Sequence, residues 1–155
     1  MAIFRATDVV EMALELEKSG KAFYQAVAAK TDDAELKALF QDLAEQEQQH
    51  YDTFSKLSET DWAASPSTQR EWDEYLMYLQ AAIQSHFFEG PDKALALADQ
   101  VDDKKEALRM AMGFEKDTLL FYHDLRDKVS EADEAMIERV IAEEKTHLRR
   151  LAALM

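Results

Sequence analysis

The chain repeats itself, and the repeat limits what it can fold into. Sliding the first segment forward by 98 residues lays Met12 on Met110, Ala13 on Ala111, Glu17 on Glu115, Lys18 on Lys116, Phe23 on Phe121 and Tyr24 on Tyr122. A slide of 97 then lays Leu39 on Met136, Leu43 on Val140, Glu47 on Glu144, His50 on His147 and Phe54 on Leu151. The spacing marks the repeated units as helices. Leu36, Leu39, Leu43, Glu47, His50, Phe54 and Leu57 recur at intervals of three and four residues, the period of one α-helical face. Val10, Ala13, Leu14, Glu17, Tyr24 and Val27 share a face in the same way. Two similar helical hairpins joined by a long connection make a pseudo-symmetric four-helix bundle, because neither hairpin can bury its apolar face alone.

Breakers and caps place the helices. With only 3 Gly and 2 Pro, long helices are easy and hairpin turns are scarce. The first helix is expected from about Asp8 to Ala29, with Asp8 and Glu11 as a capping box. The second starts near Thr31-Asp32-Asp33, with Asp32 and Glu35 as its box, and runs to about Ser58. Ser65-Pro66-Ser67-Thr68 breaks the chain, and an aromatic-rich helix follows from about Ser67 to Phe88, ended by Gly90-Pro91. A short helical piece, Pro91 to Asp99, leads to a long helix from about Asp102 to Val129, and the last runs from about Glu131 to the C-terminus. No segment alternates with period two, so no sheet is expected.

The length of 155 residues suits a single domain, residues 1–155. Its net charge of −14 argues against nucleic acid, whose phosphates require Lys and Arg, and against an anionic membrane surface. There is no Cys, so disulfides, thiolate nucleophiles and Cys-based metal centres are excluded. No apolar run approaches a membrane span and the N-terminus has no apolar leader, which points to a cytoplasmic protein. Most of the carboxylates belong on solvated helix faces. A few do not, and these carry the chemistry.

Glu47 and His50 lie three residues apart, as do Glu144 and His147, so each pair shares a helix face. Each sits within an apolar stripe. The partner helix of each hairpin adds one Glu, Glu17 or Glu115. One Glu from each of two helices plus Glu-x-x-His from each of the other two is the ligand arrangement of di-iron and di-manganese carboxylate bundles. Carboxylates can bridge two cations and switch between one- and two-oxygen binding, while each imidazole adds a terminal nitrogen. Four carboxylates balance two divalent ions. Oxygen and nitrogen donors without sulfur suit two iron ions, with manganese or zinc as other occupants.

These residues resemble the ferritin-like superfamily, above all its rubrerythrin-like group. The resemblance is carried by Leu16-Glu17-Lys18 through Phe23-Tyr24, by Leu43-Ala44-Glu45-Gln46-Glu47-Gln48-Gln49-His50, by Phe114-Glu115 through Phe121-Tyr122, and by Ala142-Glu143-Glu144-Lys145-Thr146-His147. The 68 residues from Glu47 to Glu115 leave room for an additional helix in the crossover, as in that group. The resemblance implies an all-α ferritin-like four-helix bundle holding a diiron centre that reduces hydrogen peroxide or oxidises ferrous iron. It departs from the group in two ways. Rubrerythrins usually carry a Cys-ligated domain that delivers electrons, and often an additional Glu ligand; here Cys is absent, and Met112 and Thr118 flank Glu115 at helical spacing.

Tyr24 and Tyr122 sit two turns from Glu17 and Glu115 on the same faces, where a hydroxyl can hydrogen-bond a ligand carboxylate or pass an electron. His86 and His123 lack a Glu three residues upstream and are not expected as ligands. The aromatic run Trp72 to Phe88 reads as packing for the crossover helix or a dimer surface. The leading expectation is a homodimeric oxidoreductase that acts on peroxide or oxygen and draws electrons from an external donor. A ferroxidase that stores or delivers iron is the alternative, and a metal-free helical adaptor a third.

Overall fold

The computed structural model describes residues 6–57, 68–82 and 89–155, with side chains from residue 9 onward. Six helices account for nearly all of it: α1 (Ala6–Lys30), α2 (Ala34–Leu57), α3 (Gln69–Ala82), α4 (Pro91–Asp99), α5 (Lys104–Arg126) and α6 (Glu131–Ala153). No strand occurs among the described residues. Helices α1 and α2 form one antiparallel hairpin, α5 and α6 the other, and the hairpins meet as α1 on α5 and α2 on α6. The all-α four-helix bundle expected from the repeat is therefore the observed fold.

The described parts of the crossover are α3 and α4. α3 buries Trp72 and Leu79, and the Lys128 ammonium lies 4.1 Å from the centroid of the Tyr75 ring, so α3 covers the α5–α6 turn. α4 packs on α1 with Ala94 and Ala98 buried, small residues that permit close approach. Gly90, at φ 106°, starts α4 in a backbone region that glycine alone enters readily, and Pro91 follows in the first turn. At the far end, Lys104 Nζ lies 3.1 Å from Asp33 Oδ2 and fastens the start of α5 to the start of α2. The chain reaches α5 at the end of the bundle where α2 began, so α1 and α5 are antiparallel.

Two local expectations change. Asp33, rather than Asp32, caps α2: the Leu36 amide donates to Asp33 Oδ1 at 2.8 Å. Glu35 does not complete a box there and faces Lys104 at 3.7 Å instead. Asp8 lies inside α1, which begins at Ala6, and so does not cap it. The expected helix from Ser67 to Phe88 is described as Gln69–Ala82; the Ser65-Pro66 break and residues 83–88, with His86, Phe87 and Phe88, lie outside the described residues.

Candidate metal centre

The bundle places one pair of polar side chains from each long helix at its centre. Glu17 and Tyr24 come from α1, Glu47 and His50 from α2, Glu115 and Tyr122 from α5, Glu144 and His147 from α6. The four Glu and two His are all buried, none more than 1% exposed. They form two overlapping groups, Glu17–Glu47–His50–Glu144 and Glu47–Glu115–Glu144–His147, each able to bring its ligand atoms within 4.8 Å of one another. Glu47 and Glu144 belong to both groups and are placed to bridge; Glu17 and Glu115 belong to one each.

The donor atoms point inward at shared space. His50 Nδ1 is 3.0 Å from Glu144 Oε1 and 3.6 Å from Glu17 Oε2. His147 Nδ1 is 2.8 Å from Glu144 Oε2, 3.6 Å from Glu115 Oε1 and 3.7 Å from Glu47 Oε1. These are ion-pair distances, yet both Nδ1 atoms, both oxygens of Glu47 and Glu144, and Oε2 of Glu17 and Glu115 have no aligned hydrogen-bond partner. Each buried orphan costs about 1–3 kcal/mol. So many on six neighbouring side chains is the donor set that a pair of cations satisfies, and oxygen with imidazole nitrogen fits iron.

The electrostatics of the metal-free cluster agree. Burial, then the nearby Glu17 and Glu144, push Glu47 well above the carboxylate range. Burial and Glu144 push Glu115 up to about 8, against the pull of His147. Burial acts in the same direction on Glu144, but His50 and His147 outweigh it and hold that carboxyl below its usual range. Burial alone would lower both imidazoles; Glu144 and Glu17 raise His50 to about 12, and Glu115 and Glu144 raise His147 to about 10. Carboxyls and imidazoles at this density hold protons where metal ions would otherwise sit.

The surrounding contacts keep the twofold pattern. The Tyr24 hydroxyl donates to Glu115 Oε1 and the Tyr122 hydroxyl to Glu17 Oε1, so each hairpin braces the lone Glu of the other. His50 Nε2 meets Glu143 Oε2 at 2.7 Å, and His147 Nε2 meets Gln46 Oε1 at 2.7 Å. Gly20 lets α1 approach closely: a Cβ there would lie 2.6 Å from the Phe114 ring and 3.2 Å from Glu47 Cδ. Beside Glu17 and Glu47 a cavity of about 200 Å³ opens between α1 and α2, walled by Lys18, Lys21, Ala22, Gln25, Gln48 and Tyr51.

A family model described as Rubrerythrin matches residues 8–155. The chain belongs to the rubrerythrin family. A crystal structure of a protein assigned as a ferritin-like diiron-carboxylate protein, from Thermotoga maritima, matches with a TM-score of 0.72 and 25% identity, over 99% of this chain and 96% of that one. Comparison with curated proteins finds no match. In this rubrerythrin-family bundle the six residues singled out by the repeat are the six that meet at the centre. His123 is half-buried on α5 and belongs to neither group, and burial followed by Lys145 lowers its pKa. No helix among the described residues is long and apolar enough to cross a membrane.

Sequence reasoning missed Gln46 and Glu143, the outer partners of the histidines. The signal was present, since the 97-residue slide that lays His50 on His147 also lays Gln46 on Glu143. It also passed over Gly20, whose role depends on a ring from the opposite hairpin.

Proposed function

We propose that this rubrerythrin-family protein holds two iron ions through Glu17, Glu47, His50, Glu115, Glu144 and His147 and reduces hydrogen peroxide with electrons from an external donor. The observation that carries the reading is the pair of overlapping ligand groups sharing Glu47 and Glu144. Such a diferrous pair supplies one electron from each ion, so that peroxide with two protons becomes two waters. The chain's own residues do the rest. Glu47 and Glu144, which belong to both groups, would hold the two ions together. Tyr24 and Tyr122 donate to Glu115 and Glu17 and keep those carboxylates aimed.

The choice of peroxide rests on the cavity that reaches Glu17 and Glu47. Lys21 Nζ donates to Gln48 Oε1 at 2.7 Å across its mouth, giving a polar wall suited to a small hydrogen-bonding molecule. At the repeat-related positions of the other hairpin, Leu119, Leu120 and Leu148 replace Lys21, Ala22 and Tyr51, while Lys116, His123 and Lys145 stand for Lys18, Gln25 and Gln48, so the Lys21–Gln48 pair is particular to the α1–α2 side. The ammonium groups also disfavour passage of free ferrous iron, which an iron-storing ferroxidase would need.

Anaerobic iron loading followed by stopped-flow mixing tests the proposal. About two irons per chain should bind, and Glu47→Ala with Glu144→Ala should abolish this. Oxidation by peroxide should be at least about tenfold faster than by dissolved oxygen, about 1.4 kcal/mol in barrier. Faster oxidation by oxygen, followed by a stored ferric core, would overturn the peroxide assignment in favour of iron storage.

A further inference from the structure

The two halves of the centre repeat each other closely in their ligands but not behind their histidines. His50 Nε2 faces Glu143, a carboxylate 54% exposed. His147 Nε2 faces Gln46, an amide. Hydrogen-bond chemistry fixes the orientation of both. Gln46 Nε2 donates to Asp42 Oδ2 at 2.6 Å, and the same oxygen accepts from Arg150 Nη1 at 2.6 Å. That carboxylate can only accept, so the Gln46 oxygen must face the imidazole. His147 Nε2 therefore carries a proton and donates, so in the neutral, metal-ligating ring Nδ1 is the bare nitrogen toward the centre. Glu143 likewise accepts, so His50 Nε2 donates and, in the neutral ligating ring, its Nδ1 is the bare nitrogen.

The acceptors differ in strength. A carboxylate draws an N–H more strongly than an amide oxygen does, and the electron density it returns to the ring makes the opposite nitrogen a better metal ligand. Behind His147 the nearest negative charge, Asp42, lies beyond the amide and is paired with Arg150. Behind His50 nothing intervenes between carboxylate and ring. We propose that the two metal positions are unequal by construction: Glu143, acting as a positioning residue through His50, makes the position built on Glu17 and His50 the tighter and first-filled one, and Gln46 leaves the position built on Glu115 and His147 the weaker. The inference rests on the proposed two-metal centre.

Stepwise binding by itself does not test this, because two equal sites would also fill unequally once the first cation repels the second. Replacements of the two acceptors do. With Co²⁺ as probe, followed by calorimetry and by the cobalt absorption bands, Glu143→Gln should weaken the first binding step about tenfold or more, the usual scale for losing such a partner. Gln46→Glu should tighten the second step and bring the two together. The specificity of the effect is read in a cycle: Glu143→Gln should cost about tenfold in a His147→Ala background and less than about twofold in a His50→Ala background. Equal losses in both backgrounds, or none in either, would overturn the inference while leaving two-metal binding intact. Failure of the unaltered protein to bind Co²⁺ or iron would instead remove the two-metal reading, and this inference with it. Thermal melts of each metal-free variant identify any that fail to fold, and Gln46→Glu, which adds an acceptor of the same size, supplies the independent reading.

Discussion

Metal binding at pH 7 should expel about three protons or more, and the count can be worked out group by group. In the metal-free bundle Glu115 titrates near 8, His147 near 10 and His50 near 12, while Glu47 is raised well above its ordinary 4.5. Glu115, His147 and His50 each hold a proton at pH 7, and the upward shift of Glu47 acts in the same direction. Each such proton must be surrendered for its group to become a ligand, since metals bind carboxylate and neutral imidazole. By linkage the logarithm of the apparent binding constant for the pair should rise by about three or more per pH unit near neutrality. Above pH 8 Glu115 releases its proton unaided and the count should fall by about one. Calorimetric titration in buffers of different ionisation enthalpy reads the number directly, as the slope of observed heat against buffer enthalpy.

The same shifts fix the sign of a stability change. All these groups have folded values above their unfolded ones. What they contribute is present below the unfolded value and lost as pH rises through the folded one. For Glu115 the loss spans about 4.5 to 8, and for His147 about 6.5 to 10. The metal-free protein should therefore melt at progressively lower temperature from pH 6.5 to 10. The metal-loaded protein, which has already given up these protons, should change much less. A release of one proton or none at pH 7 would refute the reasoning, because it would mean that the buried ligands are not holding protons in place of cations.

Four substitutions probe the packing around the same groups. Tyr122→Phe removes the hydroxyl that donates to Glu17 and should cost about 1–3 kcal/mol in urea unfolding, with Tyr24→Phe matching it through Glu115; no loss from either would show the hydroxyls to be incidental. Gly20→Ala should destabilise despite the gain of up to about 1 kcal/mol in helix propensity, because a methyl 2.6 Å from the Phe114 ring forces repacking worth about 1–3 kcal/mol. Glu47→Leu should raise the metal-free melting temperature, since it replaces a carboxyl with two orphaned oxygens by an apolar group of similar size, while abolishing two-metal binding. A lower melting temperature would show that Glu47 gains more from its neighbours than burial costs it.

The long helices and the six inward residues were legible because both follow from one period. Glu47 and His50 fall on the same stripe as Leu43 and Phe54, and a stripe of that period is buried whatever lies opposite. The cap of α2 was not, because Thr31-Asp32-Asp33 offers two adjacent carboxylates, and which one meets the Leu36 amide depends on the path of the turn. The outer histidine partners were missed for a related reason. Glu143 is half exposed and Gln46 only partly buried, so neither carries an apolar-stripe signal, and each acts on a histidine of the other hairpin.

The crossed tyrosines show how spacing on one helix can specify a contact on another. Tyr24 lies seven residues beyond Glu17, about 10 Å further along α1 at 1.5 Å per residue, too far for its hydroxyl to reach that carboxylate. A partner carboxylate at the level of Tyr24 has to come from a neighbouring helix. In the antiparallel α5 the repeat supplies Glu115 at that level and, seven residues later, Tyr122 back at the level of Glu17. The same offset sets Glu17 and Glu115 at different heights in the bundle. One lone carboxylate therefore serves the His50 position and the other the His147 position, while Glu47 and Glu144 lie between and serve both. Each hairpin thus carries half of the ligands and the hydroxyl that aims the other half's lone Glu, so the site exists only where the two hairpins are packed together.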